Sequence, residues 1–321
     1  MGKPKACQNS SKWIILPVIF FSIHLTLGCA TVPYERGQDI EQVNTLKLKP
    51  KEFRIERGRP IKLIDFPGHY VFSLPSKLLL LNWKIDNHNI SKESEEMLQQ
   101  YLVDNDLHQV KVRLNQYAPG AEWIRLFQNR SVGAGWRFTL GIISVIDYTT
   151  IPGRLFGGDH YNPYTNTIHL YSDHKAVLLH EGAHAKDFAR RKYKGTYSAI
   201  RLLPLVPLYQ EAWATGDVLG YYKEKGLIPD EKDAYKVLYP AYCTYIADEG
   251  LSLTQWWVDI PIWLDYGIRL GATIPCHIIG RTKALTVDDS TSKSPAETES
   301  SEKSIHSEFM AVDQVLILMV F

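Results

Sequence analysis

Cysteine is scarce: four in 321 residues cannot knit a disulfide scaffold. With 45% hydrophobic content, the chain is long enough to bury a sizeable core without one. Surplus charge is scarce too, since 36 Lys and Arg face 35 Asp and Glu. A near-neutral chain has no global field to recruit nucleic acid, so that class of partner is excluded. The basic cluster Lys186, Arg190, Arg191, Lys192 and Lys194 is local. It closes a predicted helix, where cations complement the macrodipole; contact with an anionic membrane is the alternative. Long apolar runs are missing beyond the N-terminus. The stretch "WWVDIPIWLDYGIRLGATIPCHIIG" is broken by Asp259, Pro261, Asp265, Arg269 and Pro275, which favours core or interfacial helices over a membrane span. The final "VLILMVF" is too short to cross a bilayer.

At the N-terminus, Lys3, Lys5 and Lys12 precede the apolar run "WIILPVIFFSIHLTLG", which stops at Cys29, the order of an export signal. The stretch "LTLGC" resembles a bacterial lipobox. Gly28 and Cys29 match it, while Thr26 stands where the pattern prefers an aliphatic residue and Leu25 lies one place early. The resemblance implies a signal peptide over residues 1–28, a lipid anchor on Cys29, and a place in the cell envelope facing the periplasm or exterior. A plain signal peptide or an uncleaved anchor is the alternative, the run with Pro17 and His24 being short for a span. In an oxidising compartment Cys243 and Cys276 can pair, although two buried thiols fit the sequence equally well.

Residues 29–60 lack a sustained apolar period and read as a tether, residues 61–285 as the folded domain, and residues 286–321 as a disordered tail. Ser91 caps a helix near 91–104. Val110, Val112 and Leu114 alternate with Lys111 and Arg113, which predicts a strand with one face in solvent. "AEWIRLFQN" reads as a short helix. Residues 136–158, rich in β-branched and aromatic side chains, read as strand followed by loop. A turn at Asn162 and Pro163 leads to a strand over Thr167–Tyr171, and Ser172 or Asp173 is placed to cap the next helix. That helix runs from Lys175 to about Lys192, another from about Tyr209 to Lys225, and a third follows Pro229. The fold class is α+β.

The Lys175 helix carries "LLHEGAHAKDF". Residues four apart share a helix face, so His180 and His184 can aim two imidazoles at one ion. Glu181 is one position round, placed to take a proton from an attacking water. A catalytic zinc needs a third protein ligand. Asp187 lies about 10 Å along the axis from His180, too far. Glu211, on the next predicted helix and returned by the stretch "RLLPLVPLYQ", is the best candidate. His160, His169 and His174 flank the motif without a spacing that recruits them, and Tyr161, Tyr164, Tyr171 and Tyr209 are oxyanion donors that no spacing selects.

"HEGAH" with the downstream "YQEAWAT" resembles the zincin superfamily, and within it the gluzincin metallopeptidases, over residues 167–217. The metzincin branch is excluded, because its third histidine would fall at Arg190. The resemblance implies a zincin-like fold: a small mixed-sheet lobe whose edge strand, "TIHLY", binds substrate backbone, and a helical C-terminal lobe supplying the third ligand. It also implies Zn2+, a protein or peptide substrate, and amide hydrolysis by a zinc-polarised water with Glu181 as base and then acid. This chain departs from the pattern at Lys186, where a hydrophobic residue is usual. It departs again at Thr215, where an Asp usually orients a histidine; Asp217 comes two later. The rival reading is a noncatalytic envelope lipoprotein that uses the same fold for binding or scaffolding. A third is a membrane-surface protein whose motif is accidental.

Overall fold

Two strands buried on both faces organise the molecule. The computed structural model describes residues 34–37, 54–255 and 259–287, so Cys29, the signal segment and the C-terminal tail beyond Val287 lie outside the described residues. Through Thr286 the chain forms one unit, and Val287–Phe321 is a separate one of which only Val287 is described. The elements are β1 (Ile55–Arg57), α1 (Lys62–Pro67), α2 (Leu74–Leu80), α3 (Lys92–Asp104), β2 (Lys111–Leu114), α4 (Pro119–Gln128), α5 (Ile142–Thr150), β3 (His160–Asn162) and β4 (Thr167–Leu170). After these come α6 (Lys175–Arg190), α7 (Lys194–Ala199), α8 (Val206–Glu224), α9 (Ile228–Gln255) and α10 (Ile262–Thr286). The fold is α+β, dominated by helix, with a mixed sheet in the order β1-β2-β4-β3. The pairs β1–β2 and β2–β4 are parallel, and β3–β4 is antiparallel with Tyr161 opposite Ile168.

This sheet corrects three expectations. The stretch read as a tether contributes β1, so order begins before Ile61. On β2, Lys111 and Arg113 are buried rather than solvated. Lys111 Nζ meets Glu56 Oε1 at 2.5 Å, and Arg113 Nε meets Glu122 Oε1 of α4 at 2.8 Å, so carboxylates replace water on that face. Finally, "TIHLY" is not the edge: β3 pairs along its outer side, leaving β1 and β3 as the edges.

Residues 136–158 are helical, not extended. A π turn (Arg137–Gly141) runs into α5, and one more turn covers Gly153–Phe156. Val145 packs with Leu126, Val132 and Tyr164, while Ile143 and Ile146 point outward. Tertiary packing on one helical stripe here outweighs the β propensity of Ile and Val. Gly141 permits the approach, since a Cβ there would lie 2.8 Å from Leu126 Cδ1.

Helix α3 starts at the expected cap, Ser91, whose hydroxyl accepts from Ser94 N. Asp173 does not cap α6; its Oδ1 accepts from Ser91 N, Ser91 Oγ and Ser94 Oγ instead, tying α3 to the strand end. Helices α3, α6 and α8 pack together through Leu98, Tyr101, Leu179, Ala183 and Val218, all essentially inaccessible. Gly182 lets α3 close on α6: a Cβ would stand 2.9 Å from the Tyr101 ring. No described helix is long and apolar enough to cross a membrane.

Cys243 of α9 and Cys276 of α10 are disulfide-bonded across 33 residues. The chain-entropy model gives such a closure about 3–4 kcal/mol. Cys243→Ser is therefore expected to lower unfolding stability by about that amount, and dithiothreitol to bring the native protein down to the variant's urea midpoint. Equal midpoints for the native protein with and without reductant would contradict the pairing.

Candidate metal centre

His180 and His184 lie one turn apart on α6, their ring centroids 4.7 Å apart and their planes nearly perpendicular. Both Nε2 atoms face one oxygen of Glu211 on α8: Oε2 is 2.9 Å from His180 and 3.3 Å from His184. Among the described residues this is the group of metal-ligating side chains that converges, with its ligand atoms within 4.8 Å of one another. All three are buried. The expected triad is thus brought together, with Glu211 one turn further into its helix than expected because α8 begins at Val206. Two imidazoles and a carboxylate are a donor set that could hold a divalent metal ion, and the buried His180 Nδ1 has no hydrogen-bond partner among the described residues.

The second oxygen of Glu211 is engaged separately. Arg201, on the connection between α7 and α8, donates from Nη2 to Glu211 Oε1 at 2.6 Å and from Nη1 to Gln210 Oε1 at 2.9 Å. Burial pushes the Glu211 carboxyl up, but the two imidazoles outweigh it and hold the group well below the usual carboxylate range. For His184 the balance is reversed: burial disfavours the cation, and Glu211 overrides it, so its affinity for a proton is raised. These directions describe a buried cluster in which imidazole and carboxylate stabilise one another's charged forms.

Glu181 is buried and accepts no hydrogen bond among the described residues. Burial raises its proton affinity, with the two histidines pulling the other way. It opens onto a cavity of ≈240 Å³ shared with His180 and Glu211, whose walls include Leu79 and Leu80 of α2, Val177 of α6 and Leu238 of α9. None of the four tyrosines weighed from sequence lines this cavity; Tyr242 and Tyr245 of α9 do. Tyr245 lies close enough to Glu211 and Glu181 for their charges to hold its phenol well above its ordinary range, with burial adding to the effect. The signal was the helical spacing Leu238, Ala241, Tyr245, legible only once α9 was known to face α8.

Other candidates go elsewhere. His169 faces Glu122 at 3.5 Å and stacks on His160 at 4.7 Å, in the sheet rather than at the centre. His174 pairs with Asp233 at 3.0 Å. Asp187 binds Arg191 and Tyr197. Asp217 accepts from Lys186 Nζ at 2.5 Å and from the Tyr101 hydroxyl, so it orients neither histidine. That ion pair accounts for a lysine where the motif prefers an apolar residue. The remaining basic cluster is likewise absorbed, with Arg190 on Glu35 and Arg191 on Asp187.

The cavity lining also includes Asp86 and Asp159. Asp159 accepts from the backbone amides of Tyr171 and Ser172, and Asp86 from Ser76 Oγ and Gly158 N. Burial, then the neighbouring Asp86, pushes the Asp159 carboxyl up from 3.8 to about 7. A raised carboxyl favours the folded state while protonated, so its contribution is full below about pH 4 and is lost as pH rises toward about 7. The slope is at most about 1.4 kcal/mol per pH unit. Urea midpoints measured from pH 4 to 8 are expected to fall less steeply in Asp159→Asn than in the native protein; parallel curves would contradict the burial-driven shift.

Compared with protein-family models, curated proteins and solved structures, the chain matches none.

Proposed function

We propose that the protein is an exported, membrane-tethered zinc metallopeptidase of gluzincin-like build. In this reading the mixed sheet and α6 form one lobe, and α8–α10 form the helical lobe that supplies Glu211. The observation that carries it is the convergence of His180 Nε2, His184 Nε2 and Glu211 Oε2 on one point, beside an unbonded Glu181 that opens onto a cavity. Zinc held there would supply Lewis-acid polarisation of water and of the scissile carbonyl. The chain supplies the rest. Glu181 takes a proton from the attacking water and hands it to the leaving nitrogen, a task suited to a carboxylate whose proton affinity is raised by burial. Arg201 holds Glu211 so that only Oε2 turns toward the histidines. Tyr245 is a phenol kept protonated and able to donate to the developing oxyanion. Cys29 would provide the anchor to the envelope membrane.

One observation favours the noncatalytic alternative: Arg201, Glu211 and the two histidines already satisfy one another as a polar network. Metal analysis of the purified full chain, paired with a chelator-controlled peptide-library digest, separates the two readings. Stoichiometric zinc with chelator-sensitive cleavage supports the peptidase. Absence of metal, and no thermal shift on adding Zn2+, would overturn it.

A further inference from the structure

The side of the molecule behind the cavity is apolar where it meets solvent. Along α10 a single stripe holds Trp263, Leu270, Ile274, Ile278 and Leu285, exposed between 39% and 84%, with Gly267 and Arg281 between them and no acid. The opposite face of α10 is the packed one, carrying Ala272, Cys276 and Gly280. Helix α2 lies alongside: Tyr266 donates its hydroxyl to Pro75 O at 3.0 Å, and His277 Nε2 sits 2.9 Å from Leu79 O. On α2 and just beyond it Leu74, Leu78, Leu81 and Trp83 are outward. Through Phe72 on Phe156, 5.0 Å between ring centroids, the surface continues toward α1, where Leu63 and Phe66 are more than 60% exposed. Monomeric proteins rarely leave so much contiguous apolar area bare.

We propose that this surface, the outer face of α10 with α1 and α2, seats the domain on a lipid bilayer. Two observations select the bilayer as occupant. Aliphatic side chains with Trp83, Trp263 and Tyr70 among them are the composition of an interfacial rather than a spanning element. The apolar N-terminal run ends at Gly28, and the next described residue, Tyr34, is fixed to the domain, so whatever the run inserts into lies within about 22 Å of it. This second observation rests on the export reading; neither rests on metal binding.

The same helix α2 that offers Leu74 and Leu78 outward lends Ser76, Leu79 and Leu80 to the cavity wall. A seated domain would therefore hold one wall of the cavity at the bilayer surface, and its substrates would be polypeptide segments emerging from or lying on that surface.

The test is site-specific photocrosslinking with benzoylphenylalanine in the full chain, reconstituted in phosphatidylethanolamine–phosphatidylglycerol vesicles. Positions Leu78 and Trp263 are compared with Gln99 on the exposed polar side of α3. Lipid adducts at the first two, on the order of tenfold above Gln99, are expected. They should disappear when Ile274→Asp and Ile278→Asp are combined, in a protein whose circular dichroism is unchanged. Adducts to residues 288–321, adducts to a second copy, or equal lipid yield at Gln99 would each overturn the proposal. Membrane-bound protein without adducts overturns the docking alone; soluble protein without adducts overturns the tether as well. No arm reads hydrolysis, so failure here and failure of the peptidase reading are distinguishable.

Discussion

Glu181→Gln is expected to stop peptide hydrolysis while leaving zinc content at the native level. The substitution keeps the shape of the side chain and removes its basicity. Among the described residues the Glu181 side chain takes part in no hydrogen bond, so the amide breaks no existing hydrogen bond. What it cannot do is accept a proton from water, and a positioned general base contributes about 10²–10⁴ in rate. The loss should appear in kcat with KM nearly constant, because cavity walls formed by Leu79, Leu80 and Leu238 are untouched. Thermal stability should rise slightly, since a neutral amide is easier to bury than a carboxylate whose proton affinity burial has already raised. Native turnover in Glu181→Gln would remove the mechanism and leave the metal site standing.

Glu211→Ala is expected to take metal and activity away together. It deletes one of three ligand atoms, and an effect beyond the roughly hundredfold typical of losing an outer contact should follow. Arg201 also loses its carboxylate, but its side chain is 38% exposed, so water can replace that partner at little cost. Competition with a chromophoric chelator would measure the affinity. Full zinc occupancy in Glu211→Ala would move the third ligand elsewhere. Asp217→Ala is the informative control, because Asp217 serves Lys186 and Tyr101 rather than the histidines. It should leave zinc affinity close to native while costing several kcal/mol of stability, the result of stranding a fully buried lysine.

The centre was legible in sequence because its chemistry is local: two histidines on one helical face need only the i, i+4 spacing, and Glu211 needed only a return helix. The capping serine Ser91 was equally local. What escaped depended on partners distant in the chain. Lys111 and Arg113 read as solvent-facing because nothing nearby announces Glu56 and Glu122. The resemblance makes "TIHLY" an edge, and nothing local contradicts it, because β3 is three residues long and comes shortly after two glycines that look like loop. Residues 136–158 read as strand because their β-branched content hides a helical stripe that only Leu126 and Tyr164 reveal. Arg201 sits in a connector with no motif of its own, and Tyr245 on a helix whose facing partner sequence does not name.

The four residues Tyr34–Gly37 lie against the domain: Tyr34 and Gly37 both donate to Asn105 Oδ1, Tyr34 stacks edge-on against Tyr221, and Lys186 sits 4.1 Å over its ring. If Cys29 carries lipid, the free lead ends here and not at residue 60. A flexible lead to residue 60 would let the domain wander about 30 Å from its anchor, one to Tyr34 only about 12 Å. The volume swept shrinks by more than tenfold, and the local concentration of the domain against targets in the same leaflet rises by the same factor. Asn105→Ala would lengthen the lead without touching the centre, trading encounters at the membrane for reach into the solution beyond it.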